Sequence, residues 1–361
     1  MAKLVNVPAD VIRRQIGSVF ERWGMSKEHS DMSVHVMVET DLRGIDSHGL
    51  GMLPMYQEWM TLGLLNPKPD IRVTRDMGAI ALIEADRSLG HPPSVIAMRL
   101  AMKKAREFGV GVVAVGNSNH YGAAGHYSLM ASDEGLIGMA MTSAPSRVVV
   151  PTFAREPMYG TNPIAFTAPA KRNKAFSLDM ATSTVAFGKV QIARRARKPI
   201  PEGWALDDQG RPETDPVRAI QFRRATPLGG NRALGSHKGY GLAMMVEILC
   251  STLTGSWVAG RSFDGKRPDG PRRKNVGHFF MAMDPAKFRD GDDFGNELDG
   301  LMDSMRATPP IDPAQPVLMA GDPEYAEYER RSKDGIPVTD TLLDEVREVC
   351  KTSGAKFILQ D

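Results

Sequence analysis

Residues 91–116 read HPPSVIAMRLAMKKAREFGVGVVAVG, and the order of the parts inside this stretch decides the fold. Pro92 and Pro93 suit the first turn of a helix, where a missing N–H costs nothing. The spacing predicts an amphipathic helix from about Ser94 to Phe108, stopped by Gly109 and followed by an apolar strand from Val110 to Val115. Gly109-Val-Gly-Val-Val-Ala matches the dinucleotide string G-x-G-x-x-A. That motif needs a strand before it and a helix opening at it, because the helix N-terminus must face the pyrophosphate. Here a helix precedes and a strand follows, so the match is a chance one.

Working outward, the chain turns through Gly116 to Gly125 and enters a further helix at about His126 to Asp133. Strands are expected at 79–85, Ile137–Thr142, Ile164–Thr167, Ala175–Asp179 and His278–Met283. Upstream, Val11, Ile12, Ile16, Val19, Phe20 and Trp23 recur at helical spacing up to Gly24, and a second helix is expected from about Lys27 to Leu42. Downstream, 196–236 reads as mostly irregular. Tyr240–Leu253 reads as an almost wholly apolar, buried helix, and Asp340–Cys350 as a terminal amphipathic one. Alternating helices and strands in the middle argue an α/β core with mostly helical flanks.

The 45 basic and 43 acidic residues leave a net charge of +2, which gives no support to a nucleic-acid or membrane-surface role. Cys250 and Cys350 form no Cys-x-x-Cys pair, so neither a disulfide scaffold nor a structural zinc site is expected. The N-terminus lacks the apolar core of a signal peptide, and no stretch is long enough to cross a bilayer. The expectation is a soluble cytoplasmic protein.

Two segments set a histidine among glycines and small polar residues: Asp41-Leu-Arg-Gly-Ile-Asp-Ser-His-Gly-Leu-Gly and Gly116-Asn-Ser-Asn-His-Tyr-Gly. Such surroundings let a ligand approach an imidazole, the side chain best suited to give and take protons near neutrality. His120 falls beyond the carboxyl end of an expected strand, where ligands gather in open α/β sheets.

Arg43-Gly-Ile-Asp-Ser-His-Gly, Asn117-Ser-Asn-His-Tyr-Gly, Gly160-Thr-Asn-Pro-Ile-Ala-Phe, Asp179-Met-Ala-Thr-Ser, Gly188-Lys189 and Lys238-Gly-Tyr-Gly-Leu resemble, in order, the signatures of the malate/L-lactate dehydrogenase family. Pro201-Glu-Gly-Trp-Ala, Thr214-Asp-Pro and Gly277-His-Phe-Phe add to the match. The resemblance implies a mixed-sheet, non-Rossmann NAD(P)-binding α/β core with a helical flanking domain. It implies a helical substrate and dimer segment at 1–75, a cofactor domain at 76–284, and a C-terminal helical segment at 285–361 packing on the first.

The implied chemistry interconverts a 2-hydroxy acid and a 2-oxo acid with NAD or NADP, without metal, in a homodimer. A cyclic imino-acid reductase, or a dinucleotide binder that has lost turnover, would run on the same scaffold. His120 matches the acid/base histidine, and Ser47 and His48 match the substrate-side motif. Asp179, Met180, Ala181, Lys238 and Ser143 match cofactor contacts, while Tyr56 lines the pocket or packs. Met52 stands where many relatives carry a carboxylate-binding arginine, as in the hydroxycarboxylate dehydrogenase branch; Arg43 or Arg147 would substitute. Plainer roles stay open beside these: Ser47 bonding its own loop, Asp179 as a helix cap, Lys238 and Arg147 as solvated charge. The basic run at 260–277 is either solvated charge or a lid, and His126 is read as structural.

Overall fold

The helix-then-strand order around Gly109 is the one the chain adopts. A computed structural model describes residues 4–195, 197–258 and 275–360. Its strands are β1 (Leu4–Val7), β2 (Arg72–Met77), β3 (Ile80–Glu84), β4 (Val110–Ser118), β5 (Ile137–Thr142), β6 (Ile164–Ala168), β7 (Phe176–Met180), β8 (Ala205–Leu206), β9 (Pro212–Glu213), β10 (Val276–Met283) and β11 (Ile336–Thr339). Its helices are α1 (Ala9–Arg22), α2 (Lys27–Leu42), α3 (Leu53–Thr61), α4 (His91–Phe108), α5 (Ala124–Ser132), α6 (Phe187–Arg195), α7 (Pro216–Phe222), α8 (Ser236–Glu247), α9 (Asp293–Arg306), α10 (Asp322–Asp334) and α11 (Asp340–Ser353).

Gly109 caps α4 at φ +86°, a left-handed conformation that glycine adopts without a Cβ penalty, and β4 leaves directly from it. The helix then lies back on its own strand. A Cβ on Gly111 would overlap the carbonyl oxygen of Ala101, so glycine there permits close helix–sheet contact.

Seven strands form a mixed sheet in the order β2-β3-β4-β10-β5-β6-β7 among the described residues. Only β3 and β4 run parallel, joined by α4 as the crossover; the other neighbours are antiparallel. β10 comes from far along the chain yet takes the centre. Its run Val276-Gly-His-Phe-Phe-Met-Ala-Met is apolar on both faces, which suits a strand covered on both sides. Period-two alternation divides its side chains. Phe280 and Ala282 join Val113, Val115 and the inner faces of α4 and α5, whereas Phe279 and Met281 meet Met141, Val246 and Cys250 behind α8. The sheet is thus the middle of three layers, and Phe280→Ala would cost about 3–5 kcal/mol.

The N- and C-terminal segments share another core. β1 pairs with β11, and Ile12, Ile16 and Phe20 pack with Leu343, Val346 and Val349. α9 instead lies against the central part: Asp299 accepts the N–H groups of Arg172 and Asn173 at 2.8 and 2.9 Å.

Several expectations need adjusting. The stretch 196–236 contains α7, which Asp215 caps through the Val217 N–H at 2.8 Å. α5 begins two residues before His126. The helix expected at Tyr240–Leu253 starts earlier, at Ser236, and passes into a π-turn at Ile248–Thr252. It is not buried all round: Met244, Met245 and Ile248 are exposed, because the helix covers the sheet with one face only. Residues 260–274 of the basic run lie outside the described residues.

Candidate active site

Register brings the motif segments to one edge of the sheet. β4 and β5 both run antiparallel to β10, so Ser118 and Thr142 end at the same edge. Ile164 of β6 pairs with Met141 on one side and Met180 on the other, which returns the end of β7 to that edge. His120, Ser143 and Asp179-Met180-Ala181 therefore gather there, although spread over 62 positions of sequence. His278 in β10 ties the ends together: its Nδ1 bonds Thr142 Oγ1 at 2.7 Å and its Nε2 bonds Ser118 Oγ at 2.9 Å.

The His120 loop is held from behind. Asn119 Nδ2 donates to the carbonyls of Arg87 and Ser88 at 3.0 and 3.1 Å, and the Gly90 N–H donates to the His120 carbonyl at 3.0 Å. A Cβ at position 90 would collide with the carbonyls of residues 119 and 120. His120 Nδ1 lies 2.8 Å from the Tyr56 hydroxyl and accepts the Gly122 N–H at 3.3 Å. A phenol both donates and accepts, so Tyr56 serves Nδ1 whether the ring is neutral or protonated.

His48 stacks on His120, with ring centroids 5.3 Å apart and planes at 25°. Its Nδ1 bonds Ser47 Oγ at 2.8 Å. Burial pushes the His48 pKa down to about 4, so this ring is neutral at pH 7. The loop carrying it rests on Asp41, a buried carboxyl that accepts the Leu50 N–H at 2.7 Å. A Cβ on Gly49 would overlap that carboxyl group, which is why glycine follows His48. Arg331 of α10 closes the loop from outside, donating to the Asp41 carbonyl at 2.8 Å and pairing with Asp46 and Glu327.

Asp179 belongs to a neighbouring cavity of about 330 Å³ lined by Gly125, His126, Arg43, Tyr325 and the segment Leu318-Met-Ala-Gly321. Its Oδ2 accepts the Gly125 N–H at 2.7 Å, linking the cavity directly to the His120 loop. The residue is exposed at the mouth, with protein packed close around its carboxyl end. That desolvation raises its pKa to about 6, against the opposing Gly125 N–H and with help from Glu324.

The other expected residues are more dispersed. Arg43 lies over the rings of Tyr325 and Tyr328 at 5.5 and 5.0 Å, in the Asp179 cavity. Arg147 stands near Met158, with Nη1 3.8 Å from its sulfur. Met52 packs against the N-terminal core. Ser143 is buried and donates to Glu247 Oε2 at 2.8 Å, and Asn162, at φ +36°, donates to Glu247 Oε1 at 2.9 Å. Lys238 is exposed in the first turn of α8. It is tied to the Asp179 strand through Leu228, against whose backbone Gly239 packs and whose N–H donates to the Thr182 carbonyl at 2.9 Å. His126 is half-buried, its ring edge-on to His35.

Sequence reasoning missed Met319-Ala-Gly321, because small apolar residues carry no chemical signature. Their link to β7, the Ser177 N–H donating to the Ala320 carbonyl at 3.0 Å, spans 143 positions. Among the described residues, no group of three or more His, Cys, Asp or Glu is placed to hold a metal ion, and no helix is long and apolar enough to cross a membrane.

The profile of the malate/L-lactate dehydrogenase family matches residues 7–347. A malate dehydrogenase of Pyrococcus horikoshii is 38% identical over 357 residues, 98% of this chain and 96% of that protein. An L-sulfolactate dehydrogenase of Methanocaldococcus jannaschii is 36% identical, covering 95% of each. The crystal structure of malate dehydrogenase from Entamoeba histolytica superposes with a TM-score of 0.92 at 30% identity, covering 98% of this chain and 99% of that one. The chain belongs to the malate/L-lactate dehydrogenase family. It is an oxidoreductase of dehydrogenase type, and its mixed sheet with a central β10 is that family's fold.

Proposed function

We propose that this enzyme passes a hydride between NAD or NADP and C2 of a small 2-hydroxy or 2-oxo acid, with His120 as acid and base. The observation that carries the reading is the His120 geometry: Nδ1 bonded by Tyr56 at 2.8 Å, with the His48 ring stacked on it and Ser47 bonded to His48. In oxidation the ring acts as its Nδ1–H tautomer, in which the Tyr56 oxygen accepts from Nδ1–H and the 3.3 Å Gly122 contact is given up, and Nε2 takes the hydroxyl proton. In reduction the same nitrogen protonates the developing alkoxide. The neutral His48 and the Ser47 hydroxyl orient the acid by hydrogen bonds.

The nicotinamide supplies hydride acceptance and donation when bound. The Asp179 cavity fits part of such a cofactor. Glycine and alanine line it, and the Asp179 carboxylate stands at its mouth to accept from ribose or carboxamide donors. Met180 and Ala181 supply backbone beside it, while Lys238 offers a cation to phosphate. Ser143, at the end of β5 with its hydroxyl on Glu247, would serve the cofactor from the same end of the sheet. Arg43 and Arg147 are the candidates for substrate carboxylates, and the names of the relatives favour acids with a second anionic group. The exposed apolar face of α8 supports a homodimer. A cytoplasmic location and the division at residues 75 and 284 belong to the same reading.

The test is turnover of a panel of 2-oxo acids and one cyclic imino acid with NADH and NADPH, following absorbance of the reduced nicotinamide. Wild type should reduce a 2-oxo acid, and His120→Ala should lose about 10²–10⁴ in kcat while still binding cofactor. A wild type that binds the cofactor but turns over none of the panel would defeat the proposal, and preference for the imino acid would move it to imine chemistry.

A further inference from the structure

Behind the His120–Tyr56 pair lies a third histidine that the mechanism does not use. His91 opens α4 and is wholly buried. Its ring stands edge-on to Tyr56, with centroids 5.7 Å apart and planes at 78°. It also backs Gly122: a Cβ there would lie 2.9 Å from His91 Nε2, and Gly122 sits at φ +81°. Tyr56 and Gly122 both bond His120 Nδ1.

Neither ring nitrogen of His91 has a hydrogen-bond partner among the described residues. A neutral imidazole carries one N–H, and burying such a donor unpaired costs about 1–3 kcal/mol. Phenylalanine would fill similar volume without that cost. Where a chain breaks a packing rule without local compensation, the place is more often functional than structural.

We propose that His91 is a positioning residue for the reaction: it braces both partners of His120 Nδ1 and thereby holds Nε2 toward the substrate. The assignment rests on the dehydrogenase reading above. The titratable groups around it are Tyr56 from α3, His48 and His120 from their loops, His126 from α5 and His278 from β10. Burial, helped by His48, lowers the His91 pKa to about 3, so the brace stays uncharged while His120 exchanges its proton.

The experiment uses full-length His91→Phe and His91→Gln. It measures kcat and cofactor KM across pH with a 2-oxo acid that wild type reduces, and the ring ¹⁵N shifts of His120 assigned with His120→Gln. His91→Phe should lower kcat about tenfold at unchanged cofactor KM, shift the pH–rate profile, and change the His120 ring shifts. His91→Gln, which restores a polar group, should recover part of the rate. Wild-type kcat, pH profile and ring shifts in His91→Phe would overturn the assignment; should that variant fail to fold, the same values in His91→Gln would overturn it. A wild type without turnover defeats the dehydrogenase reading instead, and unchanged His120 ring shifts in the variants would still refute the brace.

Discussion

Gly49→Ala isolates the seat of the Ser47–His48 loop. The added Cβ falls inside van der Waals contact of Asp41 Cγ and both its oxygens. Gly49 has φ −99°, so the penalty is contact with Asp41 rather than a left-handed backbone. Asp41 is buried and fixed by the Leu50 N–H at 2.7 Å, and the loop is held on its outer side by Arg331. The carboxyl group has no room to retreat, so the loop must lift. Overpacking of this kind costs about 1–3 kcal/mol. Losing the buried Leu50 bond adds about 1–3 more. The sum is about 2–6 kcal/mol of stability. A loop lifted by about 1 Å also moves His48 off the His120 ring, at about a hundredfold in kcat/KM. Urea unfolding followed by tryptophan fluorescence reads the first quantity and steady-state reduction of a 2-oxo acid the second. Asp41→Ala in the same chain should restore part of both, because it removes the obstructing group. Wild-type stability and kcat/KM in Gly49→Ala would show that Asp41 does not seat the loop.

Tyr56→Phe keeps the ring but removes the hydroxyl 2.8 Å from His120 Nδ1, and kcat should fall about tenfold at unchanged cofactor KM, measured by steady-state kinetics. Because Asp179 titrates near 6, cofactor KM should rise as pH falls below about 6, and Asp179→Asn should have a high KM that no longer varies there. Desolvation keeps four rings neutral, lowering the pKa values of His91, His126 and His278 to about 3 and that of His48 to about 4. The unfolded chain binds more protons than the folded one below about pH 6.5, so stability from these rings is full above that value and lost as pH drops toward 3. Asp41 acts with the opposite sign: burial raises its pKa to about 8, so stability falls as pH rises from about 4 to 8, and urea midpoints for Asp41→Asn should lose that slope.

The α4–β4 unit was legible because prolines, a helical stripe and a terminal glycine agree locally. The position of β10 was not. Its apolar run announces a buried strand, but nothing local says which strands it separates. β2 escaped notice because all six of its residues are exposed and show no alternation. α9 and α10 are polar on most of their surface, and α10 buries only Arg331. In the site, motifs pointed to His120, Ser47 and His48. The bond from Tyr56 crosses 64 residues, and the bracing by His91 depends on a tertiary meeting of α3, α4 and a loop. The motif singled out Arg43 as a carboxylate ligand, but the two tyrosines of α10 on which it stacks lie far along the chain and gave no local sign.

The late arrival of β10 sets a timetable for the chain as it leaves the ribosome. β4 and β5 are both synthesised well over a hundred residues before the strand that must lie between them, and until then each exposes a bare edge. Even the first strand waits for residues 336–339 before it has a partner. The nascent protein therefore carries unsatisfied edges through most of translation, a state open to aggregation. A stop codon before residue 276 should yield insoluble product rather than a smaller working enzyme.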